Sequence, residues 1–154
     1  MILRPTHNWF LYPFFKVYTL YKIKRNFSQV HFRGVFNERE RPVLVLSNHI
    51  SWWDGFWVMY FNLKFLHRKF YFMMLEDQLK DNMFLNKTGG YSVRKNSKSI
   101  IESLDFTSDL LKDSNNVVLL FPQGEIQSIY TSHFKFEKGI GYILKKLKED
   151  VQII

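Results

Sequence analysis

The chain has 154 residues, which is the size of one domain and enough to bury a sizeable core. Its net charge of +8 at pH 7 favours anionic partners such as nucleic acid, anionic lipid or phosphorylated cofactors. The chain contains no cysteine, which excludes disulfides, thiolate metal sites and a cysteine nucleophile.

The first 25 residues are rich in aromatic and basic side chains. Tyr and Trp favour the headgroup zone of a bilayer, and Lys and Arg favour its anionic surface. The longest apolar stretch, Trp9 to Ile23, is shorter than the ~20 residues of a spanning helix and is interrupted by Pro13 and Lys16. We therefore predict a helical membrane-surface segment at 1–25, followed by a globular domain at 26–154. A helix packed on that domain by its aromatic face fits the same pattern.

Strand and helix patterns alternate through the rest of the chain. In chain order, the patterns predict strands at Gln29–Gly34 and Val43–Ser47 with a turn at Asn37–Pro42 between them, a helix at Trp52–Phe65, a strand at Lys69–Leu75, a short helix at Asn82–Leu85, a strand at Gly89–Val93, a helix at Ser97–Lys112, a strand at Val117–Phe121, a helix at Lys138–Lys148 and a last strand at Val151–Ile154. Short, continuous apolar runs are typical of buried parallel strands. The predicted fold class is therefore α/β, with a largely parallel or mixed sheet flanked by helices.

The main candidate for a chemical site is the segment 47–54, SNHISWWD, at the carboxyl end of a predicted strand. Ligands of open α/β sheets bind just outside that end. If Ser51 is the N-cap of the next helix, His49 lies in the preceding loop and the Asp54 carboxylate can turn back towards it. A carboxylate on one imidazole nitrogen leaves the other free as a general base. A carboxylate that only caps its own helix fits the same spacing.

Two further segments carry polar groups of the types that suit ligand binding. Residues 89–95, GGYSVRK, form a glycine turn that leads to Arg94 and Lys95, and such cations suit phosphate groups. Residues 121–125, FPQGE, follow a predicted strand, and their Pro-x-Gly turn lets backbone N–H groups approach a ligand. We expect Gln123 and Glu125 at the same sheet edge as His49. Each segment alone also fits an ordinary surface turn.

Together, in this order, the segments resemble the glycerolipid acyltransferase superfamily, whose best-known members acylate lysophosphatidic acid. Asn48 to Asp54 is similar to the family's first block, N-H-x-x-x-x-D, and residues 89–95 are similar to its second, G-x-x-F-I-x-R. Residues 121–125 resemble the third block, F-P-E-G-T, and residues 136–139 resemble an F-K-x-G segment that opens a helix. The resemblance covers Val43 to the end of the chain.

The resemblance implies a reaction. His49, oriented by Asp54, would take the proton of an acceptor hydroxyl, which attacks the thioester of acyl-CoA or an acyl carrier protein. No metal, cofactor or covalent acyl-enzyme is implied. The residues that it assigns to substrate binding are Arg94, Lys95, Phe121, Pro122, Gln123, Gly124 and Glu125. The acyl pocket is expected near Trp52, Trp53, Phe56 and Trp57, which equally suit a core.

The chain departs from the family pattern at positions in the second and third blocks that bear on substrate binding. Lys95 stands where the second-block Arg is usual, and Arg94 comes one residue early. In the third block, Gln123 replaces Glu and Glu125 replaces Thr. Ile126 stands where many members have an Arg that helps bind an acceptor phosphate. These changes weaken the case for a phosphate-bearing acceptor and leave open another lipid alcohol or an amine.

The resemblance implies an enzyme similar to a 1-acylglycerol-3-phosphate acyltransferase. Its predicted partners are a membrane lipid surface, an acyl thioester donor and a lipid acceptor of the lysophospholipid or glycerolipid type, with the protein peripheral or monotopic on the cytoplasmic face of a membrane. The family's fourth block would begin near Ile154, so the domain is expected to lack its C-terminal part. A non-catalytic lipid-binding protein on the same fold is the alternative. Nucleic-acid binding is not expected, because the basic residues are scattered and no RNP-like, zinc-finger or helix-turn-helix signature is present.

Overall fold

The computed structural model describes residues 1–34, 40–95, 97–133, 135–147 and 150–154. Within these ranges the chain forms a sheet of five parallel strands with helices around it, which confirms the predicted α/β class. The strands are β1 (Val43–Leu46), β2 (Lys69–Leu75), β3 (Gly90–Val93), β4 (Asn116–Leu120) and β5 (Gln152–Ile153). The helices are α1 (Leu11–Asn26), α2 (Asp54–Phe61) with a π-helical turn after it (Asn62–Leu66), α3 (Glu76–Asp81), α4 (Met83–Asn86), α5 (Ile100–Leu110) and α6 (Gly139–Lys146).

The order of the strands places a crevice between β2 and β4. The sheet runs β3-β2-β4-β1-β5, so the chain leaves β2 towards one edge of the sheet and leaves β4 towards the other. Diverging connections open a crevice outside the carboxyl ends of the two strands, where ligands of open α/β sheets bind. Leu46 of β1 pairs with Leu120 of β4, and the next N–H, of Ser47, donates to the Leu120 carbonyl at 3.2 Å. The segments that follow β1 and β4 therefore meet.

Side chains alternate between the two faces of the sheet and so divide the core into two layers. One layer packs against α1 and α2, and its buried strand residues are Val43, Val45, Phe70, Val117 and Leu119. The other packs against α5 and α6, and its buried strand residues are Leu44, Tyr71, Tyr91, Val118 and Leu120. Because both faces are covered, β1, β2 and β4 contain the continuous apolar runs VLVL, FYFMML and VVLL, as the sequence predicted.

Helix α1 packs on the domain with one face and exposes the other. Tyr12 and Phe15 pack against the core, and the Tyr12 hydroxyl accepts the Phe70 N–H at 3.0 Å. The exposed apolar side chains of α1 and the two residues before it are Trp9, Phe10, Phe14, Val17 and Tyr21. Packing through an aromatic face is thus observed, and attachment of the other face to a membrane stays a prediction. In the described part of the chain, no helix has the length and hydropathy needed to cross a bilayer.

The residues before α1 lie along the outer side of β3. The Ser92 N–H donates to the Leu3 carbonyl at 3.1 Å. Burial lowers the pKa of His7 to about 4, so its neutral ring donates from Nε2 to the Phe70 carbonyl at 2.8 Å. Gly89 has a φ of 115°, and a Cβ there would lie 2.1 Å from that carbonyl oxygen. The glycine before β3 is therefore required by backbone conformation and by packing.

One sequence prediction about secondary structure is wrong, and one helix of the structure was not predicted. Residues 29–34 form no strand, because the Phe32 ring packs against Phe61 and Phe65 beside α2 instead of at a sheet edge. Helix α3 was not predicted, because its sequence EDQLKD contains a single apolar residue and shows no helical period.

The other predicted elements are present with shifted ends. The predicted helix at Trp52–Phe65 begins later, at Asp54, and its last turn is π-helical. In the predicted turn at Asn37–Pro42, residues 37–39 lie outside the described residues, and a bend covers 40–41. The predicted end of the last helix, Lys148, also lies outside them, and α6 ends at Lys146.

Candidate active site

The His49 side chain lies beside the Asp54 carboxylate at the start of α2. His49 Nδ1 is 3.0 Å from Asp54 Oδ2, and the two side chains expose only 20% and 11% of their surface. The same oxygen accepts the N–H of Ile50 at 2.7 Å and the N–H of Ser51 at 2.9 Å. Asp54 therefore holds both the imidazole and the loop that carries it.

This arrangement decides which ring nitrogen of His49 carries the proton. An ionised carboxylate only accepts hydrogen bonds, so the proton of a neutral ring is on Nδ1, beside Asp54. No described residue forms a hydrogen bond with Nε2. A ring in this state can take a proton at Nε2 while the carboxylate stabilises the imidazolium that forms.

Ser51 is not the N-cap that the sequence predicted. The Asp54 N–H bonds to the Ser51 carbonyl three residues back, at 3.3 Å, so a separate turn closes before the helix begins. The residue before the helix is Trp53, and the Ser51 hydroxyl accepts the Trp53 N–H at 3.0 Å inside that turn. Asp54 is consequently the first helical residue, and its side chain reaches back across the turn to the loop.

The loop 121–127 contacts both the ring and the backbone of His49. The Phe121 ring stacks on the imidazole, with 3.8 Å between centroids and 11° between planes. The His49 N–H donates to Gln123 Oε1 at 2.5 Å, and the Gln127 N–H donates to the His49 carbonyl at 2.8 Å. The position of His49 therefore depends on this loop as well as on Asp54.

His49 lines a cavity of about 590 Å³ in the crevice between β2 and β4. Its lining is mostly apolar and comes from both layers of the core. Lining residues on the side of α1 and α2 include Phe15, Phe56, Phe70 and Phe72, and those on the side of α5 and α6 include Met73, Ile100, Ile101, Leu104, Ile140 and Ile143. Trp52, in the turn before α2, also lines the cavity. The charged lining residues are Lys95, Glu125, Glu137 and Lys138. A volume of this size lies within the range of roughly 300–1,000 Å³ that is usual for ligand pockets.

Two of the four residues expected around an acyl pocket line the cavity. These are Trp52 and Phe56. Trp53 and Trp57 are not part of the lining, and the Trp57 ring packs against Phe27 with centroids 4.8 Å apart.

The adjacent cations Arg94 and Lys95 have different surroundings. The Arg94 guanidinium donates to both oxygens of Glu76, at 2.7 and 3.2 Å, and does not line the cavity. These bonds, together with Lys80, lower the pKa of Glu76 to about 2. Lys95 does line the cavity, and its Nζ is 3.9 Å from a Glu137 oxygen. The expected role of both cations in substrate binding stays a prediction, but Lys95 alone of the two reaches the cavity.

Gly124 brings the loop 121–127 close to Lys95. Its φ is 68°, and a Cβ at this position would lie 3.1 Å from Lys95 Nζ and 3.2 Å from Glu137 Cγ. Phe121, Pro122 and Gly124 line the cavity. A side chain at position 124 would therefore be strained by the positive φ and would have to displace Lys95 and Glu137 by a few tenths of an ångström.

Four residues around the site were absent from the predicted set. Glu76 was missed because α3 was not recognised, and Phe15 was missed because its helix was treated as a separate segment. Gln127 follows the third motif and carries no signal of its own. Glu137 lies in the segment 136–139, and that resemblance was the one signal that pointed to it.

A family model described as Acyltransferase matches residues 16–154, which is most of the chain. Comparison with curated proteins and with solved structures gave no match. The matched range begins inside α1 and contains His49, Asp54, Lys95 and the loop 121–127.

Proposed function

The chain belongs to the glycerolipid acyltransferase superfamily, and from this we propose that it transfers a fatty acyl group from acyl-CoA or an acyl carrier protein to the hydroxyl group of a lipid acceptor. The observation that carries the proposal is the His49–Asp54 pair beside an apolar cavity. The pair supplies a base for the acceptor, and the cavity supplies space for an apolar chain.

In the proposed reaction, the acceptor hydroxyl gives its proton to His49 Nε2 while its oxygen attacks the thioester carbonyl carbon. Asp54 stabilises the imidazolium that forms. When the carbon–sulfur bond breaks, the imidazolium returns the proton to the leaving thiolate. The products are an ester and a free thiol, and His49 is again neutral. A base of this kind typically contributes about 10²–10⁴-fold to the rate.

The charged groups at the cavity bear on the choice of acceptor. Lys95 and Lys138 are accompanied there by Glu125 and Glu137, so the cations do not stand alone. Ile126 lines the cavity at the position where an Arg would favour an acceptor phosphate. We therefore propose a lipid hydroxyl acceptor that does not depend on a phosphate group for recognition.

The protein attaches to a membrane through the exposed face of α1 in this proposal. Trp9 and Phe14 expose 85% and 56% of their surface, and Lys24 and Arg25 lie in the last turn of the helix. Aromatic side chains insert at the headgroup level, and the cations favour the anionic cytoplasmic leaflet. Phe15, on the packed side of the same helix, lines the cavity, so the attachment would lie close to the proposed acyl site.

The first experiment measures free-thiol release from a long-chain acyl-CoA by wild type, His49→Ala and the control His31→Ala. His31 is exposed and outside the cavity. The acceptors are a lysophospholipid, a monoacylglycerol, a long-chain alcohol and a lipid amine. We expect acceptor-dependent release by wild type and His31→Ala, and a loss of about 10²–10⁴-fold in His49→Ala.

Full activity of His49→Ala would show that the base is assigned wrongly. Absence of release from folded wild type with every acceptor, together with retained lipid binding, would instead favour the non-catalytic lipid-binding alternative.

Membrane attachment is tested by sedimentation with vesicles of neutral and of anionic lipid. Phe14→Ser should weaken binding to both, whereas Leu144→Ser should not. Leu144 is a matched control because it is exposed on α6, which covers the other face of the sheet. Binding to anionic vesicles should fall as salt is raised. Equal binding by Phe14→Ser and wild type would contradict attachment through α1.

A further inference from the structure

Gln123 contacts the loop that carries His49 and does not line the cavity. Its side chain is 3% exposed, and it is absent from the cavity lining although Pro122 and Gly124 on either side are part of it. Its amide oxygen accepts the His49 N–H at 2.5 Å, and its amide nitrogen donates to Gln127 Oε1 at 3.0 Å. A group buried in this way acts on a substrate only through the residues that it holds.

Hydrogen bonds run from His49 through the side chains of Gln123 and Gln127 to Glu125. The groups at the two ends fix the orientation of both side-chain amides. The His49 N–H can only donate, so the Gln123 oxygen faces it and the Gln123 NH₂ faces Gln127. The Gln127 NH₂ then faces Glu125, whose carboxylate accepts it at 3.3 Å. Each amide thus uses its acceptor on one side and its donor on the other. The orientation that His49 requires is the one that Glu125 also requires.

Gln127 also binds His49, through a backbone hydrogen bond. Its N–H donates to the His49 carbonyl at 2.8 Å, so both backbone polar groups of His49 are bonded to the loop 121–127. Phe121 of the same loop stacks on the imidazole. Asp54 binds the ring and the N–H groups of Ile50 and Ser51, and the loop 121–127 adds the contacts to the backbone of His49 itself.

We propose that Gln123 is a positioning residue that acts through His49, with Gln127 as its partner. The proposal rests on the acyl transfer proposed above, because it assigns Gln123 to the placement of the general base. A reacting group displaced by about 1 Å can cost roughly 10²-fold in rate. Removal of the Gln123 amide should therefore lower kcat and change the KM of either substrate little.

The kinetic experiment compares Gln123→Met, Gln123→Glu and Gln127→Met with wild type. Gln123→Met keeps the size of the side chain and loses both hydrogen bonds, so kcat should fall roughly 10²-fold with KM within about 3-fold. Gln123→Glu keeps an acceptor for the His49 N–H but sets an oxygen against Gln127 Oε1, and its kcat should fall less, by about 10-fold. Gln127→Met keeps the backbone bond to His49 and should cost about 10-fold or less. Gln29→Met, at an exposed glutamine outside the site, is the matched control.

Three kinetic results would overturn the proposal. One is an unchanged kcat in Gln123→Met. The second is a raised KM with kcat retained, which would indicate direct contact with a substrate. The third is an equal loss in Gln123→Met and Gln123→Glu, since the acceptor to His49 would then not matter. If Gln123→Met does not fold, unchanged kcat in both Gln123→Glu and Gln127→Met would overturn it.

A second measurement is independent of turnover. Amide hydrogen exchange at His49 should be slow in wild type and in Gln29→Met, and at least about ten-fold faster in Gln123→Met. If no acceptor supports release but this difference is found, the hold on His49 stands and the proposed function fails. If acyl transfer is found and the His49 amide exchanges equally in all variants, the role of Gln123 fails alone.

Discussion

Two groups of charged side chains lie near the carboxyl ends of the strands. In the first, which we call the Glu76 cluster, the carboxylate is paired with Lys80 at 2.6 Å and with Arg94 at 2.7 Å, and Glu76 is only 8% exposed. Both cations pair with the one carboxylate, and Arg94 does not line the cavity. The cluster therefore ties the start of α3 to the end of β3, which is a structural role.

The second group, which we call the His49 group, consists of His49, Asp54, Lys95 and Glu137. Here the contacts within the group leave polar atoms available to a ligand. Asp54 engages Nδ1 of His49, and no described residue engages Nε2. Lys95 is 3.9 Å from Glu137, which is longer than the contacts of Arg94, and it lines the cavity. The comparison shows that two neighbouring cations of one motif have different roles. Arg94 is paired with Glu76, whereas Lys95 lines the cavity and is placed to contact a ligand there. The three predictions below test this difference, beginning with the largest effect.

Substitution of Asp54 should have the largest effect on the His49 group. In Asp54→Asn, the amide oxygen can still accept the N–H groups of Ile50 and Ser51, but the charge that stabilises the imidazolium is lost. We expect kcat to fall by about 10²–10⁴-fold with little change in thermal stability. Asp54→Ala should lose similar activity and also about 1–3 kcal/mol of folding free energy, because two loop N–H groups lose their acceptor.

Thiol-release kinetics and thermal unfolding of both variants measure this difference. Activity of Asp54→Asn close to that of wild type would indicate that Asp54 acts only as a structural acceptor for the loop.

A paired substitution at the two cations should separate the His49 group from the Glu76 cluster. Lys95→Met should raise the KM of a substrate by roughly 10-fold, because a charge-assisted contact at the cavity is lost. Arg94→Met should leave KM within about 2-fold and lower the unfolding temperature instead, because Glu76 loses its two-point partner. The measurements are substrate titrations and thermal unfolding. The reverse pattern, with KM raised only in Arg94→Met, would mean that the Glu76 pair opens to admit substrate.

The smallest effect concerns pH and the Glu76 cluster alone. Hydrogen bonds from Arg94 and Lys80 lower the pKa of Glu76 from 4.5 to about 2 in the folded protein. A carboxylate with a lowered pKa stabilises the fold above its unfolded pKa, and this stabilisation is lost as the pH falls towards the folded value. Wild type should therefore unfold at a higher temperature than Glu76→Gln above about pH 4.5, and the difference should close as the pH approaches 2.

Glu40→Gln, at an exposed carboxylate, serves as the control for this pH series. A difference between wild type and Glu76→Gln that stays constant from pH 7 to pH 2 would contradict the ionic role of Glu76.

Much of the fold followed from local patterns in the sequence. Each strand of the sheet was predicted within one or two residues. For β1, β2 and β4 the signal was a short, continuous apolar run, which is typical of buried parallel strands. The approach of Asp54 to His49 was also predictable, since the two residues are separated by a single turn. The false strand at 29–34 shows the limit of such patterns. Its alternation is satisfied by contact between Phe32 and α2, and periodicity alone does not identify the partner.

The sequence by itself determined the fold class and the strands, because these depend on residues close together in the chain, and for the same reason it predicted that Asp54 can reach His49. Only the tertiary structure decided which cation reaches the cavity and what Gln123 contacts. Arg94 is held by Glu76, 18 positions away, and His49 by Gln123, 74 positions away. Such contacts depend on the order of the strands, which brings the ends of β1 and β4 together, and no local pattern encodes that order.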